Sequence, residues 1–388
     1  MQTKALTHLG IDFKTLKARF EQSFGVAPDV IASAPGRLEV LGNHTDYNAG
    51  LTLSCAVGFR CYAAATRLVN PVAKLQSTAF DTPAESFSLD QLDIEEGHWA
   101  RYVLGLADAL KRRGYDVPGF AMLVDSQVPQ SAGVSSSAAL EMAALTAMIN
   151  LMDINIAINE MAQIGQESES LAVGAQTGLL DQLTSLLGQR DQFIKIDFQS
   201  MVTQTIPAPA GWCFVAVDSG VKHDLTKEYN ARRSSCEAAA RAMGIESLRK
   251  ATIDTLDSSS IEIEEEDYRC ARHIIEENQR VRDAVSILGS QRMYDFGQLL
   301  FDSHQSSQSN FKNSCPELDE LVAIAEKDER CIGARLSGGG FGGICINLVQ
   351  TKYAEDYRMS LLRALNRRNP ASRWSAICEI GDGACSYE

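Results

Sequence analysis

The apolar positions of this 388-residue chain follow two spacings, one typical of helices and one typical of strands. Apolar side chains recur every three or four residues over 12–24, which predicts a helix that Gly25 ends. Similar spacing predicts helices at residues 99–113, 140–152, 155–170, 268–288, 293–306, 316–328 and 353–367, and one that opens within 221–233 and ends near 243. Short apolar runs predict strands at residues 30–33, 51–57, 61–66, 73–78, 87–89, 120–124, 192–198, 212–218, 344–348 and 375–380. This mixture, without a repeat of fixed period, is typical of the α+β class.

A composition change near the middle of the chain predicts two domains. A chain of 388 residues is long enough for one large domain or two of ordinary size. The run P-A-P-A at residues 207–210 separates two predicted strands, and proline-containing segments of this kind are common at domain boundaries. We therefore expect one domain over residues 1–206 and another over residues 207–388.

Charge and composition narrow the classes of partner. The net charge of −14 disfavours nucleic acid and anionic membranes, although an anionic nucleotide can still bind at a locally positive site. No apolar run reaches the roughly 18 residues of a membrane-spanning helix, and the N-terminus lacks the apolar core of a signal peptide. The ten cysteines form no C-x-x-C pair, which favours free thiols in a cytoplasmic protein over disulfides or zinc.

A turn rich in small residues is the first candidate for binding chemistry. Residues 131–140 read S-A-G-V-S-S-S-A-A-L and join the strand at 120–124 to the helix at 140–152. The N–H groups and the dipole of a helix N-terminus attract anions, and serine hydroxyls can bind a hard cation such as Mg²⁺. The turn lacks both the Walker lysine and the G-x-G-x-x-G spacing. Taken alone, it could equally be a loop that caps a helix.

Two further segments carry dense polar chemistry. Residues 34–50, A-P-G-R-L-E-V-L-G-N-H-T-D-Y-N-A-G, are expected to form a loop between strands, either as a functional loop or as a surface turn. Asp181 lies among leucines in a predicted apolar helix, and a carboxylate there is costly to bury without a partner. The alternative is that Asp181 stabilises the first turn of its helix, because a negative charge there interacts favourably with the helix dipole.

A glycine-rich segment, G-A-R-L-S-G-G-G-F-G-G at residues 333–343, completes a set of three motifs. Together with residues 36–50 and 129–139, it closely resembles, in order and spacing, the signatures of galactokinases in the GHMP small-molecule kinase superfamily. The shorter segments W-A-R-Y-V-L-G, G-L-L-D-Q, E-Y-N-A-R-R and S-C-P-E-L-D also resemble this family, so the likeness covers nearly the whole chain. It implies a GHMP-kinase-like fold of two α+β domains with the active site in the cleft between them.

The resemblance also implies roles for individual residues. Asp181 matches the catalytic aspartate and Arg37 the catalytic arginine, while Ser137 and Glu169 match ligands of Mg²⁺. The ATP phosphate loop corresponds to Ser131, Ala132, Gly133, Val134, Ser135, Ser136 and Ser137. Residues that match sugar contacts, or lie close to them, are Asn43, His44, Thr45, Asp46, Gly174, Gln182 and Tyr229. The expected cofactors are therefore ATP and Mg²⁺.

Two positions depart from the family pattern. Galactokinases usually carry Glu at the position of Asn43, where that carboxylate meets the O6 side of the sugar. Asparagine keeps an acceptor but removes a negative charge, so we expect galactose to bind while galacturonate is repelled less. Ser131 stands where the phosphate loop usually has Gly, and this exchange of small residues predicts only a modest effect on ATP affinity.

The expected activity is the phosphorylation of D-galactose at its anomeric hydroxyl by ATP, which yields galactose 1-phosphate. One alternative is an anomeric kinase for a related sugar, such as galacturonate, N-acetylgalactosamine or arabinose. Another is a sugar and ATP sensor without catalysis, although Arg37, Glu169 and Asp181 are all present. The expected partners are a small sugar and ATP, for a cytoplasmic monomer whose self-association is left open.

Overall fold

The computed structural model describes residues 12–90, 94–129, 133–174, 176–221, 226–290, 292–368 and 373–387. The helices are α1 (Phe13–Phe24), α2 (Ala100–Arg112), α3 (Ser136–Met152), α4 (Ile158–Val173), α5 (Leu180–Leu187), α6 (Thr226–Ala242), α7 (Ile253–Ser258), α8 (Glu265–Gly289), α9 (Met293–Ser306), α10 (Pro316–Ala325) and α11 (Ala354–Arg368). The strands are β1 (Val30–Leu41), β2 (Leu51–Leu68), β3 (Val72–Ser77), β4 (Glu85–Ser88), β5 (Gly119–Ser126), β6 (Gln192–Asp197), β7 (Val202–Pro207), β8 (Trp212–Asp218), β9 (Cys331–Ser337), β10 (Ile344–Gln350), β11 (Ser375–Cys378) and β12 (Cys385–Tyr387).

The predicted helices are all present, with shifted ends. The first begins after Asp12, whose carboxylate accepts a hydrogen bond from the Lys14 N–H (3.1 Å), and it ends at Gly25 with a left-handed φ of 75°. Sequence spacing did not predict α7, β7, β9 or β12. Of these, β7 alternates weakly and β12 is only three residues long, so neither presents an apolar run.

The first sheet is organised by the long strand β2. Its order is β12-β1-β2-β5-β3-β4, while β6 pairs with the start of β2 and β7 pairs with β6. Two separate strands were expected at 51–57 and 61–66, and that expectation is wrong. The residues between them stay extended because Arg60 pairs with Pro35 of β1 and the Gly58 N–H donates to the Glu379 carbonyl (3.0 Å).

A second correction concerns residues 34–50, which were expected to form one loop. β1 continues through Leu41, so only the segment from Gly42 to Gly50 is a loop. The strand tolerates Pro35 and Gly36 because the register of β1 against β2 shifts between Pro35 and Arg37, which forms a bulge.

Helix α3 is the buried helix of the first half. It packs on β1 and β2, and α2, α4 and α5 contact it. Its apolar residues surround the whole helix, with Ala138, Met142 and Leu145 fully buried. A helix that is apolar on all sides must be covered on all sides, and this fixes where its N-terminus lies relative to β1.

The second half is built on the antiparallel sheet β11-β8-β10-β9. Helices α10 and α11 cover one face, where Leu321, Leu336 and Tyr357 are buried together. On the other side, Ala216 and Phe296 belong to the same apolar cluster as Ala34 of β1, so the two halves share a core.

The change of sheet supports the proposed division of the chain at residue 207. β7 is the last strand of the first half to join the first sheet, and β8 is the first strand of the second sheet. The strand β12 belongs to the first sheet although it follows the second sheet in the sequence, since it pairs with β1 at Ile31 and Ser33. We therefore retain the division as a proposal, with β12 assigned to the first sheet.

None of the helices in the described ranges is long and apolar enough to cross a membrane. All ten cysteines are free thiols, as the sequence predicted, and seven of them are buried.

Candidate active site

A cavity of about 190 Å³ lies where the two halves meet. The first half contributes β1, the loop after it and the start of α5, and the second half contributes α6 and the glycine-rich turn. The lining residues are Arg37, Glu39, His44, Asp46, Thr177, Gly178, Leu180, Asp181, Tyr229, Gly338 and Gly339. The cleft position that was expected for the active site is therefore a cavity in the structure, which we call the sugar cavity after the ligand that the resemblance implies.

At one end of the sugar cavity, Arg37 holds Asp181. The Arg37 Nε donates to Asp181 Oδ1 (2.7 Å) and Nη2 donates to Oδ2 (2.9 Å), while Nη1 donates to the Gly133 carbonyl (2.9 Å). Arg37 is 5% exposed, so this two-point contact fixes the orientation of the carboxylate and neutralises its charge. The sequence indicated that Asp181 needs a charged partner, and Arg37 is that partner for a carboxylate that is 27% exposed.

The phosphate loop lies directly against this pair. Ser135 precedes α3 in a left-handed conformation (φ 56°), and its hydroxyl donates to Asp181 Oδ2. The Arg37 N–H donates to the Val134 carbonyl (3.0 Å), and a Cβ on Gly36 would lie 2.4 Å from that same oxygen. The β1 bulge thus needs glycine at this point for the loop to approach.

Helix α3 begins at Ser136 rather than at residue 140, so Ser136 and Ser137 stand in its first turn. Their backbone N–H groups belong to the helix end that has no intrahelical acceptors, which suits a phosphate group. Ser131 and Ala132, the first two residues assigned to the phosphate loop, lie outside the described residues.

A buried carboxylate is connected to the same turn. Glu169 of α4 accepts hydrogen bonds from Ser137 Oγ (2.8 Å), Thr177 Oγ1 (2.9 Å) and Gln182 Nε2 (3.2 Å). Burial raises the pKa of Glu169, and the charge of Asp181 raises it further. Gln182 Nε2 also donates to Glu141 Oε2 (3.0 Å), so Gln182 bridges two buried carboxylates and does not line the sugar cavity.

The described residues contain no group of three or more His, Cys, Asp or Glu side chains that could hold a metal by themselves. The donor set at α3 is one hydroxyl, on Ser137, beside one carboxylate, on Glu169. Mg²⁺ often takes only one or two protein ligands and completes its shell with phosphate oxygens and water. This pair therefore fits Mg²⁺ that arrives with a nucleotide.

The loop after β1 places His44 and Asp46 on the wall of the sugar cavity. His44 Nε2 lies 3.0 Å from the Gly339 carbonyl and Nδ1 lies 2.8 Å from the Tyr47 hydroxyl. Burial lowers the pKa of His44 to about 4, so the ring is neutral near pH 7. A carbonyl can only accept, so Nε2 carries the proton and Nδ1 accepts from Tyr47.

Asp46 has an unusual environment for a carboxylate. Burial raises the pKa of Asp46 to about 7, and the charges of Asp181 and Glu39 add to this effect. One oxygen accepts the Tyr47 N–H (2.9 Å). The other lies so close to Gly178 that a Cβ there would stand 1.8 Å from it.

Other residues assigned to sugar binding lie away from the wall of the cavity. Asn43 is fully buried, Thr45 uses its hydroxyl on the carbonyls of Gly42 (2.8 Å) and Leu51 (2.7 Å), and Gly174 ends α4. Tyr229 of α6 does line the cavity, with its ring centroid 4.8 Å from that of His44. The structure thus brings His44, Asp46 and Tyr229 together, with Arg37 and Asp181.

The glycine-rich segment contributes backbone to the cavity. Gly338 and Gly340 have φ values of 89° and 81°, which residues other than glycine rarely adopt. A Cβ on Gly338 would lie 3.4 Å from Arg37 Nη2, and a Cβ on Gly340 would lie 2.2 Å from the Asn313 carbonyl. The turn therefore packs close to both the Arg37 pair and the loop beyond α9.

Sequence reasoning missed a second cavity, of about 340 Å³, beside Ser136 and Ser137. Its wall is partly aromatic, and the lining residues are Cys61, Ser77, Ala79, Phe80, Gly97, Trp99, Tyr102, Val124, Ser126, Ser136, Ser137 and Leu140. The segment W-A-R-Y, which holds Trp99 and Tyr102, was the available signal. Both cavities end at one loop, since Ser135 contacts Asp181 on one side and Ser137 lines the other cavity.

Comparisons with known proteins agree on one family. Residues 18–67 match the galactokinase galactose-binding signature, residues 101–189 match the GHMP kinases N terminal domain, and residues 281–357 match GHMP kinases C terminal. A galactokinase of Roseiflexus sp. (strain RS-1) is 34% identical over 380 residues, which span 96% of this chain and 97% of the relative. One from Actinobacillus pleuropneumoniae serotype 5b (strain L20) is 36% identical over 94% of this chain and 97% of the relative.

Solved structures give the same result. Lactococcus lactis galactokinase, crystallised with galactose, superimposes with a TM-score of 0.92 at 28% identity, over 97% of this chain and all of that one. Methanococcus jannaschii mevalonate kinase superimposes with a TM-score of 0.62 at 18% identity, over 91% of this chain and 98% of that one, and shares the fold.

Proposed function

Because this chain belongs to the galactokinase family of GHMP kinases, we propose that it transfers the γ-phosphoryl group of ATP to the anomeric hydroxyl of D-galactose. The products are galactose 1-phosphate and ADP. The observation that carries this proposal is the Arg37–Asp181 pair, which stands between a small cavity with several charged lining residues and the N-terminus of α3.

Asp181 is proposed to accept the proton of the attacking hydroxyl. The transfer of a phosphoryl group depends mainly on positioning and on neutralising charge, and a carboxylate within hydrogen-bond reach can take the proton as the bond to phosphorus forms. The guanidinium of Arg37 is a planar cation, so it holds the carboxylate and offsets negative charge on the phosphoryl oxygens. Ser135, which donates to Asp181 Oδ2, adds a third contact that orients it.

The nucleotide is proposed to span the second cavity and the first turn of α3. Phe80, Trp99 and Tyr102 offer aromatic surface for the adenine ring, and the N–H groups from Ser135 to Ser137 face the phosphates. Ser137 and Glu169 would hold Mg²⁺ through the hydroxyl and the carboxylate. When bound, the ion supplies positive charge against the phosphate oxygens.

The sugar is proposed to lie against His44, Asp46 and Tyr229. Sugar hydroxyls need directed polar partners because an apolar wall discriminates poorly among them. Asp46 provides two carboxylate oxygens at the wall. Both nitrogens of His44 are engaged by the protein, so this residue acts mainly by holding Tyr47 and the glycine-rich turn in place.

We also propose that the protein works as a cytoplasmic monomer. Ten free thiols suit a reducing compartment.

Release of ADP with a panel of sugars tests the proposed function. The panel is galactose, galacturonate, N-acetylgalactosamine, arabinose and glucose, each with ATP and Mg²⁺. We expect turnover with galactose that Asp181→Asn abolishes, whereas Asp153→Asn, at an exposed left-handed helix end, leaves it unchanged. Turnover with another sugar alone would favour a related sugar kinase. Binding of sugar and ATP without any turnover would favour a sensor.

A further inference from the structure

Glu39 faces the sugar cavity for a simple geometric reason. Residues Arg37, Leu38 and Glu39 pair in unbroken register with Ala56, Cys55 and Ser54 of β2. Alternate residues of a strand point to the same side, so the side chain of Glu39 follows that of Arg37. Arg37 reaches Asp181 at one end of the cavity, and Glu39 lines the same cavity while only 4% exposed.

Within the described part of the chain, hydrogen bonds reach one oxygen of the Glu39 carboxylate. Oε1 accepts from Asn43 Nδ2 (2.8 Å) and from Arg335 Nη2 (3.1 Å). No described residue donates a hydrogen bond to Oε2. A buried carboxylate oxygen normally accepts a hydrogen bond, and a donor to Oε2 would have to lie in the cavity.

The charge of Glu39 is supported from behind the wall. Arg335 is fully buried and its Nη1 donates to the Val40 carbonyl (3.0 Å), so its guanidinium is held in place against Glu39. Burial raises the pKa of Glu39, while the charges of Arg335 and Arg37 oppose that rise. The charges of Asp46 and Asp181 lie on the same cavity.

Both polar atoms of the Asn43 side chain are engaged by the protein. Its Nδ2 donates to Glu39 Oε1 (2.8 Å) and to the Gly338 carbonyl (2.8 Å), and its Oδ1 accepts from Asn313 Nδ2 (2.9 Å). The side chain is fully buried and does not line the cavity. The sequence suggested that Asn43 leaves the site without a negative charge. In the structure the carboxylate of Glu39 supplies that charge, and Asn43 holds this carboxylate in position.

We propose that Glu39 determines sugar specificity, with Oε2 accepting a hydrogen bond from a hydroxyl of the neutral sugar and the carboxylate repelling sugars that carry a carboxylate. This inference rests on the proposed function and names a residue of that same site. It reverses the expectation that Asn43 relaxes discrimination against galacturonate.

Steady-state kinetics of Glu39→Gln with galactose and galacturonate tests the inference. Loss of a hydrogen bond to a charged group is expected to raise the KM for galactose about 10- to 100-fold, with kcat changed less. The preference for galactose over galacturonate should fall about tenfold or more. A series of deoxygalactoses identifies the hydroxyl that Glu39 contacts. The deoxygalactose that lacks this hydroxyl should bind equally well to wild type and to Glu39→Gln.

The matched control is Glu141→Gln, which also replaces a fully buried carboxyl group by an amide but lies outside the sugar cavity. It should leave the ratio between the two sugars unchanged, whatever its effect on kcat. A Glu39→Gln protein that keeps the wild-type KM for galactose and the wild-type sugar ratio would overturn the inference.

Two further measurements keep the test decisive. If Glu39→Gln fails to fold because Arg335 loses its partner, Glu39→Asp keeps a carboxylate on β1 but shortens its reach into the cavity, and a raised KM for galactose in this variant would support the inference. Unchanged calorimetric affinity for galactose in Glu39→Gln would contradict it. Calorimetry without ATP measures galactose binding and needs no turnover. A protein that binds galactose but does not phosphorylate it would contradict the proposed function and leave this inference to be judged by the binding data.

Discussion

Arg37 and Asp181 lie 144 positions apart in the sequence, yet two hydrogen bonds of 2.7 and 2.9 Å join the guanidinium of one to the carboxylate of the other. β1 carries the first residue and the first turn of α5 carries the second. Since α3 packs against both elements, the pair is fixed by the buried core beneath it. Its planar two-point geometry is what makes arginine necessary here.

Arg37→Lys is therefore expected to lower kcat about 100-fold or more, because a lysine keeps the charge but loses the two-point contact. ADP release at saturating galactose and ATP measures this. The control Arg269→Lys changes an exposed arginine that pairs with Glu265 within α8, and it should leave kcat unchanged. A kcat for Arg37→Lys within about threefold of wild type would contradict the role given to the pair.

Gly178→Ala is expected to raise the KM for galactose about tenfold or more. A Cβ at this position would stand 1.8 Å from Asp46 Oδ2, so the carboxylate must leave its place on the cavity wall. Steady-state kinetics and galactose calorimetry measure the effect. Gly289→Ala is the control, since no atom of the described residues lies within 4 Å of a Cβ there. Equal galactose affinity in both variants would show that Asp46 does not contact the sugar.

Ser137→Ala is expected to raise the Mg²⁺ concentration needed for half-maximal turnover, because the hydroxyl beside Glu169 is lost. Calorimetry can measure the affinity for a non-hydrolysable ATP analogue at several Mg²⁺ concentrations. This readout does not require catalysis. Ser258→Ala, at an exposed serine of α7, is the control. Chelation of Mg²⁺ should stop wild-type turnover, and restored Mg²⁺ should recover it. An unchanged Mg²⁺ dependence in Ser137→Ala would remove Ser137 from the ion site.

Trp99→Ala is expected to raise the KM for ATP about tenfold while the KM for galactose changes little, because Trp99 lines the second cavity and not the sugar cavity. Kinetics with each substrate varied in turn separate the two constants. Trp212→Ala removes an equally large ring that lines a different cavity, near Tyr294, and should alter neither constant. A rise in both constants for Trp99→Ala would indicate a general structural effect.

Asp46 makes the stability of the protein depend on pH. Its pKa is raised from 3.8 to about 7 in the folded state, so between these values the folded protein binds more protons than the unfolded chain. The contribution of Asp46 to the free energy of unfolding is therefore full below about pH 4 and is lost as the pH rises to 7. Asp46→Asn does not titrate, so it should gain stability relative to wild type over this range.

We expect a relative gain of about 1–2 kcal/mol between pH 4 and pH 8, less than full burial would produce because Asp46 keeps some contact with solvent in the cavity. Urea unfolding of both proteins across this range measures the difference. His44 and His273, whose pKa values are lowered to about 4 and about 3, titrate in both proteins and largely cancel. A difference that is constant with pH would show that Asp46 is ionised throughout.

The sequence by itself determined the family, the order of the motifs and most helices. Local signals were enough for these, such as the Asp12 cap, the Gly25 stop and the apolar surface of α3. The residues Arg37, His44, Asp46, Asp181 and Tyr229, named from motifs, all stand on one cavity. Motif spacing could name them because each belongs to a short segment with its own chemistry.

Only the tertiary structure decided which side chains of a motif face the cavity. Asn43 and Glu39 lie four residues apart in one motif, yet the strand register turns Glu39 toward the cavity while contacts with Gly338 and Asn313 hold Asn43 inside the wall. The true length of β1 likewise depended on pairing with β2, which absorbs Pro35 in a bulge. Side-chain direction and strand length are set by partners distant in sequence, so no local pattern could predict them.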